Sequence, residues 1–454
     1  MHIAVHPEAA RRADELATRA LDGLVDGRLT GSTHTIGYSP PLPTAGVFDD
    51  TNIKGPILGS TVDRFGRDIE RSYLDANRAF VLRGAAFGDY EKAVLTLHGQ
   101  RHVKEVASEK TLRTLAFEWI YGTHLHGPAQ AFCEYVLQKL GALVQEVEIV
   151  LPIVGLHIHA PTKIGRVVIG DILPSELSDW RERSRRGAEK LATMVDVAHD
   201  KLDRTLQGRA AARFKVTAEP EHAADLAVEQ AELSLAVLRL ASDGAFFPER
   251  PSSFALAGRD APPHGSHVVL GPGDSVLPKQ YLLHPEAYEA WVLDEPYLRG
   301  TVLPMIGHWS DLLAKDSRTK LEENALSSVL LYSRATRSRN VSEKLIYIFA
   351  AVESLLLRNE TEQISASVGD RLAFVVGRNV DERIAIVRNF RDVYTMRSKF
   401  VHHATEPSID VRTLTSVEAF LRTIGKFYIE IGTLLPLHHD KNALLDAIDR
   451  RKYA

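Results

Sequence analysis

The run Tyr394-Thr395-Met396-Arg397-Ser398-Lys399-Phe400-Val401-His402-His403 sets a permanent cation, two titratable imidazoles and a phenol on or beside one helical pattern. This set can bind and cleave a phosphodiester without a metal ion. An imidazole titrating near neutrality exchanges a proton with a 2′-hydroxyl or a leaving oxygen, which makes His402 the general acid or base. Arg397 stays charged, and its planar donors suit a phosphate and the charge developing at phosphorus. The two are five residues apart, about 140° around an ideal helix axis, so they are not stacked. They converge if Arg397 reaches along a groove, if the last turn frays, or if a symmetric partner helix completes the geometry. The same residues also fit a structural role, since Arg and His near a helix C-terminus complement its dipole and cap its carbonyls.

Ile384, Ile386, Val387, Phe390, Val393, Tyr394, Phe400 and Val401 give the helix over 381–403 an apolar surface that positions these groups. Helices are also expected at 319–336, 341–358, 365–377, 410–433 and 439–450, with Asn340 or Ser342 capping the second and Asp381 beginning or capping the fourth. Their lengths suit an antiparallel bundle with short connections. Glu353 lies inside the apolar run 345–356, where an unpaired acid is expensive to bury. A salt bridge to Arg391 or Arg397 that orients the site is the favoured reading, with a lock on the bundle as the other. Tyr394 falls three residues before Arg397, roughly on its face. It either stacks on a base or packs in the core with its hydroxyl at the rim. Lys399 adds phosphate attraction or is simply solvated.

Upstream the period changes. A short amphipathic helix over 8–30 leads into a Gly/Pro/Thr-rich passage to about 61, expected to be a loop. Residues 62–84 and 89–117 read equally as helices or short strands. A helix is expected within Gly127–Leu143, with Gly141 marking its end. The runs 146–152, 156–160 and 165–170 read as strands separated by Pro and Gly, in an antiparallel or mixed sheet. Charged helical pattern returns over 176–207, Arg213–Thr217 reads as a strand and 220–241 as a helix. Strand-like runs follow at 252–257 and 267–271. The fold class is therefore α+β: a mixed region over 1–300, in one or two subdomains, followed by an all-α helical domain over 301–454, with Arg299-Gly300 and Pro304 hinting at the boundary.

Whole-chain properties bound the function. At 454 residues the chain exceeds one ordinary core. A 44% hydrophobic and 25% charged composition is that of a soluble globular protein. The net charge of -4 argues against a broadly basic nucleic-acid coat but leaves room for a local basic cleft, so a nuclease must rest on a site. Cys133 is the single cysteine, which excludes an intrachain disulfide and a Cys-rich zinc module and fits a cytoplasmic location. No signal-peptide pattern opens the chain and no long uncharged apolar run is present, so no membrane association is expected. Other candidates lack full patterns. His157 and His159 share one strand face near Asp171 but need a further metal ligand. His124 and His126 are placed in a loop beside Gly122 and Gly127. Gly271-Pro272-Gly273-Asp274-Ser275 lacks the lysine of a phosphate-binding loop, Lys54-Gly55-Pro56 reads as a turn, and Ser60, Ser234 and Ser310 have no nucleophile-elbow context.

Three passages carry a family resemblance: Ala325–Ala335, Glu343–Leu356 with its Glu-Ser-Leu sequence at 353–355, and the Arg397…His402 pattern with four intervening residues. On these, residues 319–433 resemble the HEPN superfamily (higher eukaryote and prokaryote nucleotide-binding), specifically its Apea-like branch, over about a quarter of the chain. The resemblance implies a cofactor-free, metal-independent endoribonuclease working as a homodimer, with paired Arg/His motifs at a shared groove. Arg397 would hold the scissile phosphate. His402 would assist 2′-hydroxyl attack or protonate the leaving 5′-oxygen, giving cyclic phosphate and 5′-hydroxyl ends. Glu353, Arg391, Tyr394, Ser398, Lys399 and His403 would bind or orient RNA. Many ribonuclease members carry Asn, Asp or His after the Arg; Ser398 departs from this and weakens the second polar role. Antiviral defence in prokaryotes, with an activating ligand or phage component acting on the N-terminal region, is the implied setting. The alternatives are a non-catalytic RNA- or nucleotide-binding dimerisation scaffold, and an enzyme centred in 1–300 with the helices supplying oligomeric structure.

Overall fold

The computed structural model describes residues 3–27, 57–75, 78–128, 130–187, 192–257, 264–270, 276–282, 290–359, 361–403 and 410–452. Most of the Gly/Pro-rich passage before residue 61, the Lys54-Gly55-Pro56 turn and Gly271–Ser275 lie outside them. A mixed α/β region over about 7–218 precedes a mostly helical bundle over about 290–450. The chain forms two compact units. One comprises Met1–Ile149, Ser175–Thr205 and Lys215–Ala227. The other comprises Val150–Pro174, Leu206–Phe214 and Val228–Ala454.

The first unit begins with α1 (Pro7–Asp22), which ends eight residues before the expected 30 and leads into β1 (Val25–Gly27). Next come β2 (Ile57–Val62), β3 (Asp68–Asp75) and β4 (Arg78–Arg83), joined in the order β1-β4-β3-β2 with antiparallel neighbours. Helices follow: α2 (Gly84–His98), the single turn α3 (Arg101–Lys104), α4 (Glu109–His126) and α5 (Phe132–Leu143). Gly127 terminates α4 with φ +82° and does not open a helix, and Gly141 lies inside α5. Leu16, Tyr73, Leu82, Tyr90, Val94, Leu115, Phe117, Ile120, Phe132, Val136 and Leu140 form one apolar core. Glu219, completely buried, joins two helix starts. Its carboxylate accepts from the Ser108 hydroxyl (2.8 Å) and backbone N–H (3.2 Å) at the head of α4, and from the N–H groups of Glu221 and His222. Burial opposes its ionisation, but these donors prevail and hold its pKa below the ordinary value.

The three strand runs expected after residue 145 are present as β5 (Gln145–Val154), β6 (Leu156–Ile158) and β8 (Val167–Asp171), and a further short strand, β7 (Thr162–Ile164), precedes β8. The charged helical stretch divides into α6 (Pro174–Gly187) and α7 (Ala192–Leu206). Then come β9 (Ala210–Ala218), α8 (Pro220–Arg239), α9 (Asp243–Phe246), β10 (Ala255–Leu256), β11 (His264–Leu270), β12 (Val276–Leu282) and β13 (Trp291–Leu293). A five-stranded sheet runs β10-β5-β9-β8-β7, β11 and β12 form an antiparallel hairpin, and β13 pairs in parallel with β6.

The helical bundle of the second unit is introduced by α10 (Glu295–Tyr297), one π-helical stretch at Leu298–Val302 and α11 (Leu303–Ala314). Then α12 (Lys320–Arg337), α13 (Val341–Leu356), α14 (Ile364–Val376), α15 (Val380–His403), α16 (Val411–Leu434) and α17 (Lys441–Arg450) match the expected helices to within a few residues. Their starts are chemically marked. Thr319 and Glu322 exchange hydrogen bonds as a capping box on α12, and the Asn340 side chain accepts from Glu343 N–H. At α15 the cap is the Asn379 side chain, whose Oδ1 accepts from Glu382 N–H at 2.9 Å, so Asp381 is the second residue of the helix and not its cap. Phe349, Phe390 and Phe420 meet in the core, with ring centroids 5.2–6.1 Å apart. Across the bundle, Arg371 of α14 holds Glu362, Asp449 of α17 and the Leu356 carbonyl at the end of α13.

Candidate functional site on the outer helix

α15 is long and lightly covered: of its 24 residues, Phe390 and Val393 are fully buried. They sit against α13, and the residues one turn on continue that face. Tyr394 is half-buried, with its ring 5.4 Å from Phe349 and 6.2 Å from Phe390. Arg397 follows on the same side, its guanidinium carbon 5.9 Å from the Tyr394 ring centre. Glu353 approaches from α13. Burial raises its carboxyl pKa, and the Arg397 charge opposes that rise.

The expected salt bridge is not a direct one. Glu353 Oε1 and Arg397 Nε are both buried and have no hydrogen-bond partner. Glu353 therefore acts on Arg397 through space, and Arg391 is exposed and contributes nothing to it. Arg397 is thus a half-buried guanidinium fixed over an aromatic ring. Its planar donors are the chemistry that grips a phosphate.

The other residues divide by side. Ser398 is half-buried, whereas Arg391, Lys399, His402 and His403 are exposed. The His402 and His403 rings are 6.5 Å apart. Five residues of regular α-helix leave His402 on the outer face and Arg397 on the inner one, so a single chain does not bring them together. On the outer face Arg388, Arg391, Lys399 and His402 form a basic stripe. Arg388 went unremarked in the sequence, though its spacing of three from Arg391 was a readable signal.

The upstream candidates resolve differently. His124 lies in the last turn of α4, not in a loop, because the helix runs on to His126. Its Nδ1 is hydrogen-bonded to the buried Tyr73 hydroxyl, and its ring packs 4.6 Å from Phe80. His157 Nδ1 is 3.7 Å from Asp171 Oδ1, which itself accepts from the Ile158 N–H, while His159 is exposed. No group of three or more His, Cys, Asp or Glu that could hold a metal gathers among the described residues, and no described helix is long and apolar enough to cross a membrane.

No protein-family model matches the chain, and no curated protein or solved structure matches it. The residues themselves therefore carry the functional reading.

Lys344 is a buried charge that the apolar pattern of its helix concealed. It lies in the apolar helix α13, is completely buried, and donates to the carbonyl oxygens of Gly244, Phe247 and Arg250 at 3.0–3.3 Å. Burial pushes its pKa down to about 7. Its contacts anchor the loop after α9, away from Arg397, and assign it to structure.

Proposed function

We propose that this protein is an endoribonuclease that needs no metal ion, and that Arg397 and His402 form its reaction centre. The observation that carries the reading is the Arg397 guanidinium, half-buried over Tyr394 with its buried Nε unpartnered. It is pre-placed for an anion. Phosphate oxygens would fill its donors, and the charge growing on phosphorus would strengthen those bonds. His402 supplies the proton exchange: it removes the 2′-hydroxyl proton as that oxygen attacks phosphorus, or returns a proton to the departing 5′-oxygen. Glu353 orients Arg397 and Tyr394 offers a ring face to a base. Because Arg397 and His402 of one chain face apart, the reading places the reaction in a groove between two copies, where each copy's outer and inner faces complement the other's. RNA is the substrate and a homodimer through the helical domain the working form. The resemblance to the Apea-like branch adds the setting of antiviral defence.

The test is incubation of the purified full chain with mixed RNA in EDTA, beside Arg397→Ala and His402→Ala variants of unchanged helix content. Cleavage that survives EDTA and is lost in both variants supports the proposal. Cleavage unaffected by either substitution ends it. A second reading, an RNA-binding scaffold without cleavage, draws on the outward position of His402. Binding that depends on Arg397 but yields no cyclic-phosphate ends would favour it.

A further inference from the structure

The hairpin joining β2 to β3 carries an exposed aromatic ring that its turn does not require. The turn is built by its neighbours. Asp63 Oδ1 accepts from the N–H groups of Phe65 (2.8 Å) and Arg67 (3.0 Å), and Asp63 Oδ2 accepts from Arg67 Nε (2.9 Å). Asp63 N–H donates to the Arg67 carbonyl, and Gly66, at φ +77°, donates back to Asp63. These bonds, that of the Arg67 N–H first, hold the Asp63 carboxyl below its ordinary pKa. Asp63 and Gly66 thus supply the turn chemistry, and a polar residue at 65 would serve the loop equally.

Phe65 is nevertheless there, 67% exposed, flanked by Val62 at 53% and Ile69 at 47%. A phenylalanine left in water forgoes the stabilisation that burying its ring would bring. The Arg64 and Arg67 guanidinium carbons lie 4.6 and 5.4 Å from the ring centre. Arg67 is paired with Asp63, and Arg71 with Asp68, while Glu70 bonds the Thr61 hydroxyl, so residues 61–71 carry no net charge and Arg64 is their cation outside these ion pairs.

We infer that the Phe65 tip is a stacking finger for single-stranded nucleic acid, with Phe65 presenting a π-face to a base and Arg64 reaching the adjoining phosphate. Planar guanidinium-on-aromatic pairs extend by adding another flat ring, and base stacking on aromatic side chains tolerates any sequence. Three apolar side chains are too little for the core of a stable protein interface. With Asp63, Asp68 and Glu70 balancing Arg64, Arg67 and Arg71, the tip lacks the net positive charge that seating on an anionic membrane draws on, whereas a stacked base needs only the ring and one phosphate contact from Arg64. The inference rests on the RNA reading above for the identity of the polymer; the finger itself stands apart from Arg397 and His402.

The experiment uses the full chain and a single-stranded RNA of 2′-O-methyl nucleotides, which lacks the attacking hydroxyl, with 2-aminopurine as a reporter of stacking. Binding should quench the fluorophore. Phe65→Ala and Arg64→Ala should each weaken affinity about fivefold or more, Phe65→Ala should remove the quench, and Phe65→Trp should preserve both. Unchanged affinity and quench in Phe65→Ala would overturn the inference. So would full function in Phe65→Leu, which keeps apolar area without a π-face, or Phe65-dependent sedimentation with phosphatidylserine vesicles in the absence of any effect on RNA. Phe65-dependent binding without EDTA-resistant cleavage of ordinary RNA would sink the nuclease reading and leave the finger standing. Arg397-dependent cleavage with Phe65-independent binding would do the reverse.

Discussion

Glu353 Oε1 on α13 and Arg397 Nε on α15 are both buried, and neither has a hydrogen-bond partner, although the Arg397 charge acts on the Glu353 carboxyl. Opposite charges held near each other without contact leave each free to engage a third party. For Arg397, the proposed function makes that party an RNA phosphate.

The raised Glu353 pKa has a signed consequence for stability. The folded state binds the Glu353 proton more tightly than the unfolded chain does, so this group favours folding most below the unfolded carboxylate pKa. That contribution is lost as pH rises through the higher folded value. Glu353→Gln, uncharged at every pH, should therefore unfold at a higher temperature than the wild type at pH 7.5, with the gap closing toward pH 4.5. Thermal melts followed by circular dichroism at several pH values check this. A gap constant with pH would show that Glu353 is not strained by burial.

Arg397→Lys separates charge from shape. A lysine retains the cation but not the planar fork of donors, nor the same stacking over Tyr394. RNA affinity is expected to fall only a few-fold, while cleavage falls on the order of a hundredfold or more, as when a preorganised donor is removed from a developing oxyanion. Single-turnover rates against filter-binding affinities give the split. Equal losses in both would assign Arg397 to binding alone.

In the other unit, Glu219→Ala removes one carboxylate that serves Ser108 and the first turn of α8 together. Four donors lose a buried acceptor, and a loss of roughly 2–4 kcal/mol is expected. The wild-type contribution is present above the ordinary carboxylate pKa and is lost as pH falls through the depressed folded value. Urea midpoints at pH 7 and pH 4 measure both effects, and Glu219→Gln should retain part of the first. A wild-type-like midpoint in Glu219→Ala would show that water replaces the carboxylate.

The helices from residue 319 onward were legible because apolar periodicity and capping chemistry agree there, as at Thr319 with Glu322 and at Asn340. α11 was not, since Gly300 and Pro304 look like a break; the helical backbone in fact runs on from Glu295 through the π-helical turn at Leu298–Val302 and past Pro304 into α11. The strands β2 to β4 are short and break up their apolar residues with Gly, Ser, Asp, Glu and Arg, so neither period stands out. Arg397 and Glu353 were named from sequence, but whether they touch depends on the separation of α13 and α15, which no local pattern encodes. The Phe65 tip was passed over for the same reason: exposure belongs to the fold, not to the residue type.

Lys344 shows that limit most sharply, since its three acceptors come from residues 244–250, about a hundred positions upstream. With its folded pKa near 7 and an unfolded value of about 10.4, the unfolded chain binds the Lys344 proton more tightly throughout that window. Stability is therefore lowest below pH 7 and rises as pH climbs toward the unfolded value, by at most about 1.4 kcal/mol per pH unit. Lys344→Met removes this titration and leaves three carbonyls without their donor. The variant should be less stable than the wild type at pH 8, and the deficit should widen between pH 7 and pH 9.5. Urea denaturation across that range reads it directly. Parallel curves would mean that the carbonyl cage keeps the ammonium charged at every pH tested, and that burial does not govern its proton.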